Sequence, residues 1–102
     1  MEDFKGCECY VGVDLAATSD LTAVCYMIEK DGKYYFKTDY YLPSSALIEK
    51  PDKEKYKLWK HLGLLKVTDG NVTDYDFITN DMMETSKVVR IRTIGYDKYN
   101  AT

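Results

Sequence analysis

Two aspartates stand where chemistry is easiest to build. Asp14 closes the run Val11-Gly12-Val13-Asp14-Leu15-Ala16, and Asp97 closes Ile94-Gly95-Tyr96-Asp97. Each run is apolar up to its carboxylate, so each reads as a buried strand that delivers an acid to its C-terminal end. Apolar strands set carboxylates side by side mainly when a divalent cation offsets their repulsion. The chemistry that such a pair suits is metal-dependent phosphodiester hydrolysis. Taken alone, an aspartate at a strand end is as readily a turn cap. The small residues after Asp14 leave room for a phosphate and favour a metal ligand there, and Asp97 gains by its pairing with Asp14. For Asp20 the plainer reading leads: its carboxylate accepts from backbone amides in the turn Thr18-Ser19-Asp20.

The elements that must position these residues follow from local pattern. Cys9 to Asp14 is strand-like, and Leu21 to Glu29 is rich in β-formers and reads as a second strand. Lys30-Asp31-Gly32-Lys33 carries the Asp-Gly hairpin signal, so Tyr34 to Leu42 forms a third strand antiparallel to the second and ends at Pro43. Ser44 to Ile48 starts a short helix that Pro51 limits. Lys53 to Leu62 reads as a lysine-rich helix with Tyr56, Trp59 and Leu62 along one face and Gly63 as its C-terminal cap. Leu64 to Val67 forms a short strand before the turn Asp69-Gly70-Asn71. Thr73-Asp74-Tyr75-Asp76 fits a capping box that opens a helix to about Ser86, with Tyr75, Ile78 and Met82 facing inward. Val88 to Tyr96 is the last clear strand, and Tyr99-Asn100-Ala101 begins another helix. Residues 1–8 are expected to fray.

These elements make an α/β fold with a mixed sheet. A three-stranded antiparallel meander gains the late strand parallel to the first, through a helical crossover. The C-terminal ends of those two strands, with Asp14 and Asp97, then share one edge of the sheet.

Composition narrows the classes. At 102 residues the chain holds one domain or part of one. Hydrophobic content of 45% beside 30% charged residues excludes wholesale disorder. No apolar run approaches the ~20 residues of a membrane span, and nothing reads as a signal peptide, so no membrane association and a cytoplasmic location are expected. The cysteines Cys7, Cys9 and Cys25 are odd in number, and Cys7-x-Cys9 lacks zinc-site spacing; they read as reduced thiols partly buried in strands. A net charge of −3 argues against autonomous DNA binding more than against DNA cleavage, since metal ions neutralise catalytic carboxylates.

The ordered series Gly12-Val13-Asp14-Leu15-Ala16-Ala17-Thr18-Ser19-Asp20-Leu21-Thr22-Ala23, Tyr41-Leu42-Pro43, Tyr56-x-x-Trp59-x-x-x-Gly63-x-Leu65, Thr68-x-Gly70 and Tyr96-Asp97-x-x-Asn100-Ala101 resembles the nuclease domain of the large terminase subunit of tailed bacteriophages. The resemblance runs from about Cys9 to the C-terminus. It implies a ribonuclease H-like fold and a headful- or site-cutting endonuclease of the viral DNA-packaging motor, working in the cytoplasm of a bacterial host. It implies two Mg2+ or Mn2+ ions on acidic residues of adjacent strands, with Asp14 on the first-strand ligand position, Asp97 on the later-strand one and Asp20 on an auxiliary acidic position. Implied partners are double-stranded DNA, the terminase ATPase domain, the small terminase subunit and the portal. The family's third acidic residue lies further downstream, and no G-x4-G-K-[ST] motif of the ATPase motor occurs here. The expectation is therefore an incomplete domain with weak or absent activity by itself, in which an open sheet edge favours self-association.

Two other readings stand beside this one. Gly12-Val13-Asp14-Leu15-Ala16-Ala17-Thr18 also resembles the first phosphate loop of actin, hexokinase and Hsp70-type ATPases, although Ala16 stands where those have glycine. A non-catalytic remnant that binds a partner through its sheet edge is the other. Lys53, Lys55, Lys57 and Lys60 read as a solvated face balanced by Asp52 and Glu54 rather than as a phosphate contact. Tyr34, Tyr35, Tyr40 and Tyr41 read as half-buried strand positions, Trp59 as core, and His61 as a partner of its helix dipole.

Overall fold

Alternation of period two decides the first strand. In β1 (Glu8–Asp14), Cys9, Val11 and Val13 are buried while Tyr10, Gly12 and Asp14 face out. The structure, a computed structural model, describes residues 2–14, 21–49, 51–72 and 74–96. β2 (Thr22–Lys30) alternates in the same way, burying Thr22, Val24, Tyr26 and Ile28. A two-residue turn joins it to β3 (Lys33–Pro43), with Asp31 at φ 52° and Gly32 at φ 76°. Two successive left-handed residues match the twist of a tight hairpin, which sets Lys30 opposite Lys33.

Helices α1 (Ala46–Glu49) and α2 (Lys53–His61) lead to the short β4 (Lys66–Thr68), and α3 (Tyr75–Ser86) crosses to β5 (Arg90–Tyr96). The sheet order is β4-β3-β2-β1-β5. β1 therefore lies between antiparallel β2 and parallel β5, as the crossover expectation required. α3 packs Ile78 and Met82 onto Cys9, Val11, Val13, Val24, Tyr26, Ile28 and Tyr41. A smaller cluster of Leu42, Ala46 and Leu65 receives half-buried Leu21, Tyr56 and Trp59. No helix among the described residues is long and apolar enough to cross a membrane.

A polar bracket ties these layers together. The Tyr41 hydroxyl donates to Asp81 Oδ2 at 2.7 Å, and Lys66 Nζ donates to the same oxygen at 2.6 Å. Lys66 also lies 3.7 Å from Asp39, which Lys37 approaches at 3.2 Å. One carboxylate of α3 is thereby held by β3 and β4 together. Burial by itself would lower the Lys66 pKa; the Asp81 and Asp39 carboxylates more than reverse that and raise it.

Several sequence expectations are corrected. The helix over 75–86 is capped by Asp74, whose side chain accepts from the Phe77 N–H at 3.0 Å, not by Thr73, which lies outside the described residues. Ile78 and Met82 are buried as expected, but Tyr75, the first residue of the helix, is 44% exposed. On α2, Tyr56 and Trp59 pack inward, whereas Leu62 follows the helix and is exposed. Leu64 and Leu65 precede β4 instead of joining it, and the strand extends to Thr68. Tyr41 is buried, but Tyr34, Tyr35 and Tyr40 are exposed, with Phe36 beside them at 69%. The lead-in expected to fray contains a 3-10 turn at Glu2–Phe4, where Gly6 N–H donates to Val88 O at 2.7 Å and Phe4 packs on the core. Gly63 behaves as read: at φ 77° it donates to Lys60 O while Leu64 N–H reaches Trp59 O, closing the helix in a Schellman motif. The expected helix at 99–101 lies outside the described residues.

Two buried phenols make the fold sensitive to alkali. Burial pushes Tyr26 up to about 12, and burial, reinforced by the hydrogen bond and charge of Asp81, raises Tyr41 as well. Both groups hold their protons more tightly folded than unfolded, so their contribution is complete below the ordinary tyrosine value of about 10. It is lost as pH rises toward the folded values. Urea midpoints measured across that interval should fall steeply for the wild type and less steeply for Tyr26→Phe. At neutral pH Tyr41→Phe should cost about 0.5–1.5 kcal/mol, since Asp81 keeps Lys66 as a donor.

Candidate active site

Asp14 is the last residue of β1, the strand that runs parallel to edge strand β5, and lies on the face opposite α3. Its position follows from the alternation that buries Val11 and Val13, which leaves position 14 facing outward. On one side it pairs with Ala23 of β2. On the other, Gly12 pairs with Gly95 and Val13 with Tyr96, so β1 and β5 end within a residue of each other. Crevices at the carboxyl ends of parallel strands are where open α/β sheets take ligands. Here that end carries an open hollow of about 440 Å³, lined by Gly12, Val13, Asp14, Ala23, Cys25, Gly95 and Tyr96.

Asp14 is exposed, and Cys25 is half-buried with a free thiol. Asp97 follows Tyr96 directly in sequence, and Asp20 lies in the connection from β1 to β2; both fall outside the described residues. Of the three acids singled out by sequence, Asp14 is thus the one whose position is described. Among the described residues, no group of three or more His, Cys, Asp or Glu side chains could hold a metal ion. A carboxylate oxygen at a strand end, with the small residues Gly12, Ala23 and Gly95 among its neighbours, fits a hard divalent cation that keeps part of its water shell. Softer ions would prefer the thiol of Cys25.

Sequence reasoning missed Ala23, Cys25 and Gly95 as walls of the hollow. Gly95 was detectable, because a glycine inside a strand marks a bulge or a close approach. The Tyr41–Asp81–Lys66 bracket had no sequence signal, since it joins three elements far apart in the chain.

The chain matches, over residues 1–102, the family described as terminase large subunit, endonuclease domain. It is 32% identical over 93 residues to the terminase large subunit of Enterobacteria phage HK97, covering 88% of this chain and 18% of that protein. To the terminase large subunit of Lactococcus phage p2 it is 38% identical over 94 residues, covering 86% of this chain and 17% of that protein. Protein YmfN of Escherichia coli is 27% identical over 113 residues, covering 100% of this chain and 25% of that protein. The crystal structure of the HK97 bacteriophage large terminase superimposes with a TM-score of 0.79 at 30% identity, covering 97% of this chain and 21% of that one. The chain therefore spans between 17% and 25% of the length of these relatives.

Gly12 has no steric need to be glycine within the described fold: a Cβ built there meets nothing within 4 Å. Gly12→Ala should therefore raise stability by about 0.4–1 kcal/mol through the unfolded state. A thermal midpoint below that of the wild type would show that the position is crowded.

Proposed function

Since the chain belongs to the family of terminase large-subunit endonuclease domains and has their ribonuclease H-like fold, we propose that it carries part of a metal-dependent site that hydrolyses DNA phosphodiesters during phage DNA packaging. The observation that carries this reading is Asp14 at the exposed carboxyl end of β1, beside the parallel strand β5, whose next residue in sequence is Asp97. Asp14 and Asp97 are the proposed ligands, with Asp20 auxiliary. Mg2+ or Mn2+ held there would supply Lewis acidity for phosphodiester hydrolysis. Asp14 contributes a carboxylate whose backbone is held by pairing with Ala23 of β2, directly after Val13, which is paired on both sides, so orienting it costs little further entropy. Gly12, Gly95 and Ala23 leave space for the substrate backbone around it. The ATPase domain, small subunit and portal are the proposed partners, with double-stranded DNA as substrate in the longer relatives' setting.

A Mn2+ titration of isotope-labelled protein tests the metal site. Paramagnetic broadening should centre on the amides at 11–14 and 94–97 without nucleotide, and Asp14→Asn should abolish it while leaving the rest of the spectrum in place. If those amides stay sharp at millimolar Mn2+, Asp14 does not hold metal and the reading fails.

A further inference from the structure

Positive charge in this acidic chain is concentrated on one helix. α2 carries Lys53, Lys55, Lys57 and Lys60 against Glu54, a local excess of three charges in a protein whose net charge is −3. Lys53, Lys57 and Lys60 recur at i, i+4 and i+7 and so share one face. The expected neutralisation by Asp52 and Glu54 is largely missing. Asp52 makes no side-chain capping bond, and Glu54 reaches only Lys57, at 3.5 Å between two exposed side chains. Lys55 lies over the Trp59 ring at 4.9 Å. Among the described residues Lys53 and Lys60 form no ion pair.

The helix is also placed to matter. It buries no residue fully and touches the fold through half-buried Tyr56 and Trp59, which join the cluster containing Leu21. Leu21 immediately precedes β2, whose residue Ala23 pairs with Asp14. Tyr40 pairs with the same Ala23 and lines, with Trp59 and Leu21, a groove of about 530 Å³. From Asp14 through Ala23 to Tyr40 is two strand spacings, about 10 Å. Through Trp59 and this groove, α2 thus lies toward the same end of the sheet as Asp14, on the β3 side.

We infer that the Lys53–Lys57–Lys60 face of α2 grips the phosphate backbone of duplex DNA and holds it across the end of the sheet that carries Asp14. This rests on the nuclease reading above and adds to it the surface that positions the substrate. Lysines along about 10 Å of helix axis suit point contacts with a few successive phosphates, a sequence-independent grip suited to a duplex that slides. Lys37 and Lys66 line the same groove but are held by Asp39 and Asp81, which leaves α2 as the uncompensated edge.

The test uses the isotope-labelled chain with a 20-base-pair duplex at low salt, without metal. Duplex-induced shifts should centre on residues 53–61, and the triple variant Lys53→Ala, Lys57→Ala, Lys60→Ala should bind at least tenfold more weakly. Its salt slope should be shallower by about 2.7, three contacts at about 0.9 each. A triple variant of equal charge change elsewhere, Lys5→Ala, Lys33→Ala, Lys87→Ala, should bind as the wild type does. Those lysines are exposed, so both variants should keep the wild-type spectrum elsewhere. Equal loss in both, shifts centred away from α2, or no wild-type binding overturns the inference. So would α2 shifts produced by anionic lipid vesicles and not by the duplex. The duplex measurement is made without metal, so failure of the metal reading is seen separately, in the Mn2+ response of the wild type.

Discussion

The register of β1 is the constraint on which the rest of the structure depends. Side chains in a strand alternate with a period of two, so a slip of one residue exchanges the faces completely. In the observed register Cys9, Val11 and Val13 meet Ile78 and Met82 of α3, and Asp14 faces water. Slipped by one, β1 would turn Asp14 toward α3 and expose two valines. Burying an unpaired carboxylate costs several kcal/mol, and each exposed valine forfeits about 1.5–3 kcal/mol. The core therefore specifies where the carboxylate points, although no side chain among the ten core residues has any direct part in the proposed chemistry.

β2 and β5 hold that register from opposite sides by different means. The tight Asp31-Gly32 turn fixes β2 against β3, and β2 pairs with β1 along its whole length. β5 is brought back parallel by α3, whose own position is set by Ile78 and Met82 and by the bracket on Asp81. Tyr41 and Lys66 thus act on the site at a distance: they hold the helix that returns β5 to β1. The irregularity between Cys9 and Tyr10 is absorbed on the β5 side, where Arg92 is the extra residue and pairs with Glu8 at 3.3 Å. Beyond it the register is clean up to the hollow, with Gly12 beside Gly95 and Val13 beside Tyr96.

Much of this was legible in the sequence because it rests on short-range rules. The apolar run closing on Asp14 located β1, β-propensity located β2, the Asp-Gly pair located the hairpin, and two apolar runs ending in aspartate implied parallel strands joined by a crossover. The errors arose where tertiary contact overrides local pattern. Tyr75, Ile78 and Met82 have helical spacing, yet spacing does not reveal which of them is covered, and Tyr75 is exposed. Tyr34, Tyr35 and Phe36 have strong β-propensity, but propensity is indifferent to whether another layer covers the strand. Thr73 and Asp74 are both good caps, and a one-residue choice between them is beyond sequence pattern.

The two faces of the sheet have opposite physical demands. The α3 face gains stability from every apolar atom it buries and ties its polar groups into arrangements such as Tyr41–Asp81–Lys66. The outer face places Gly12 and Gly95 in register, although each glycine in a strand forfeits about 0.5–1 kcal/mol relative to alanine. Neither glycine has a left-handed φ, and a Cβ at Gly12 would meet nothing within 4 Å. Their smallness therefore relieves no strain or crowding at Gly12 within the described fold; what it does leave is a bare floor beside Asp14. The sheet thus forgoes stability on the face where Asp14 points and recovers it on the other, which leaves the Asp14 carboxylate accessible.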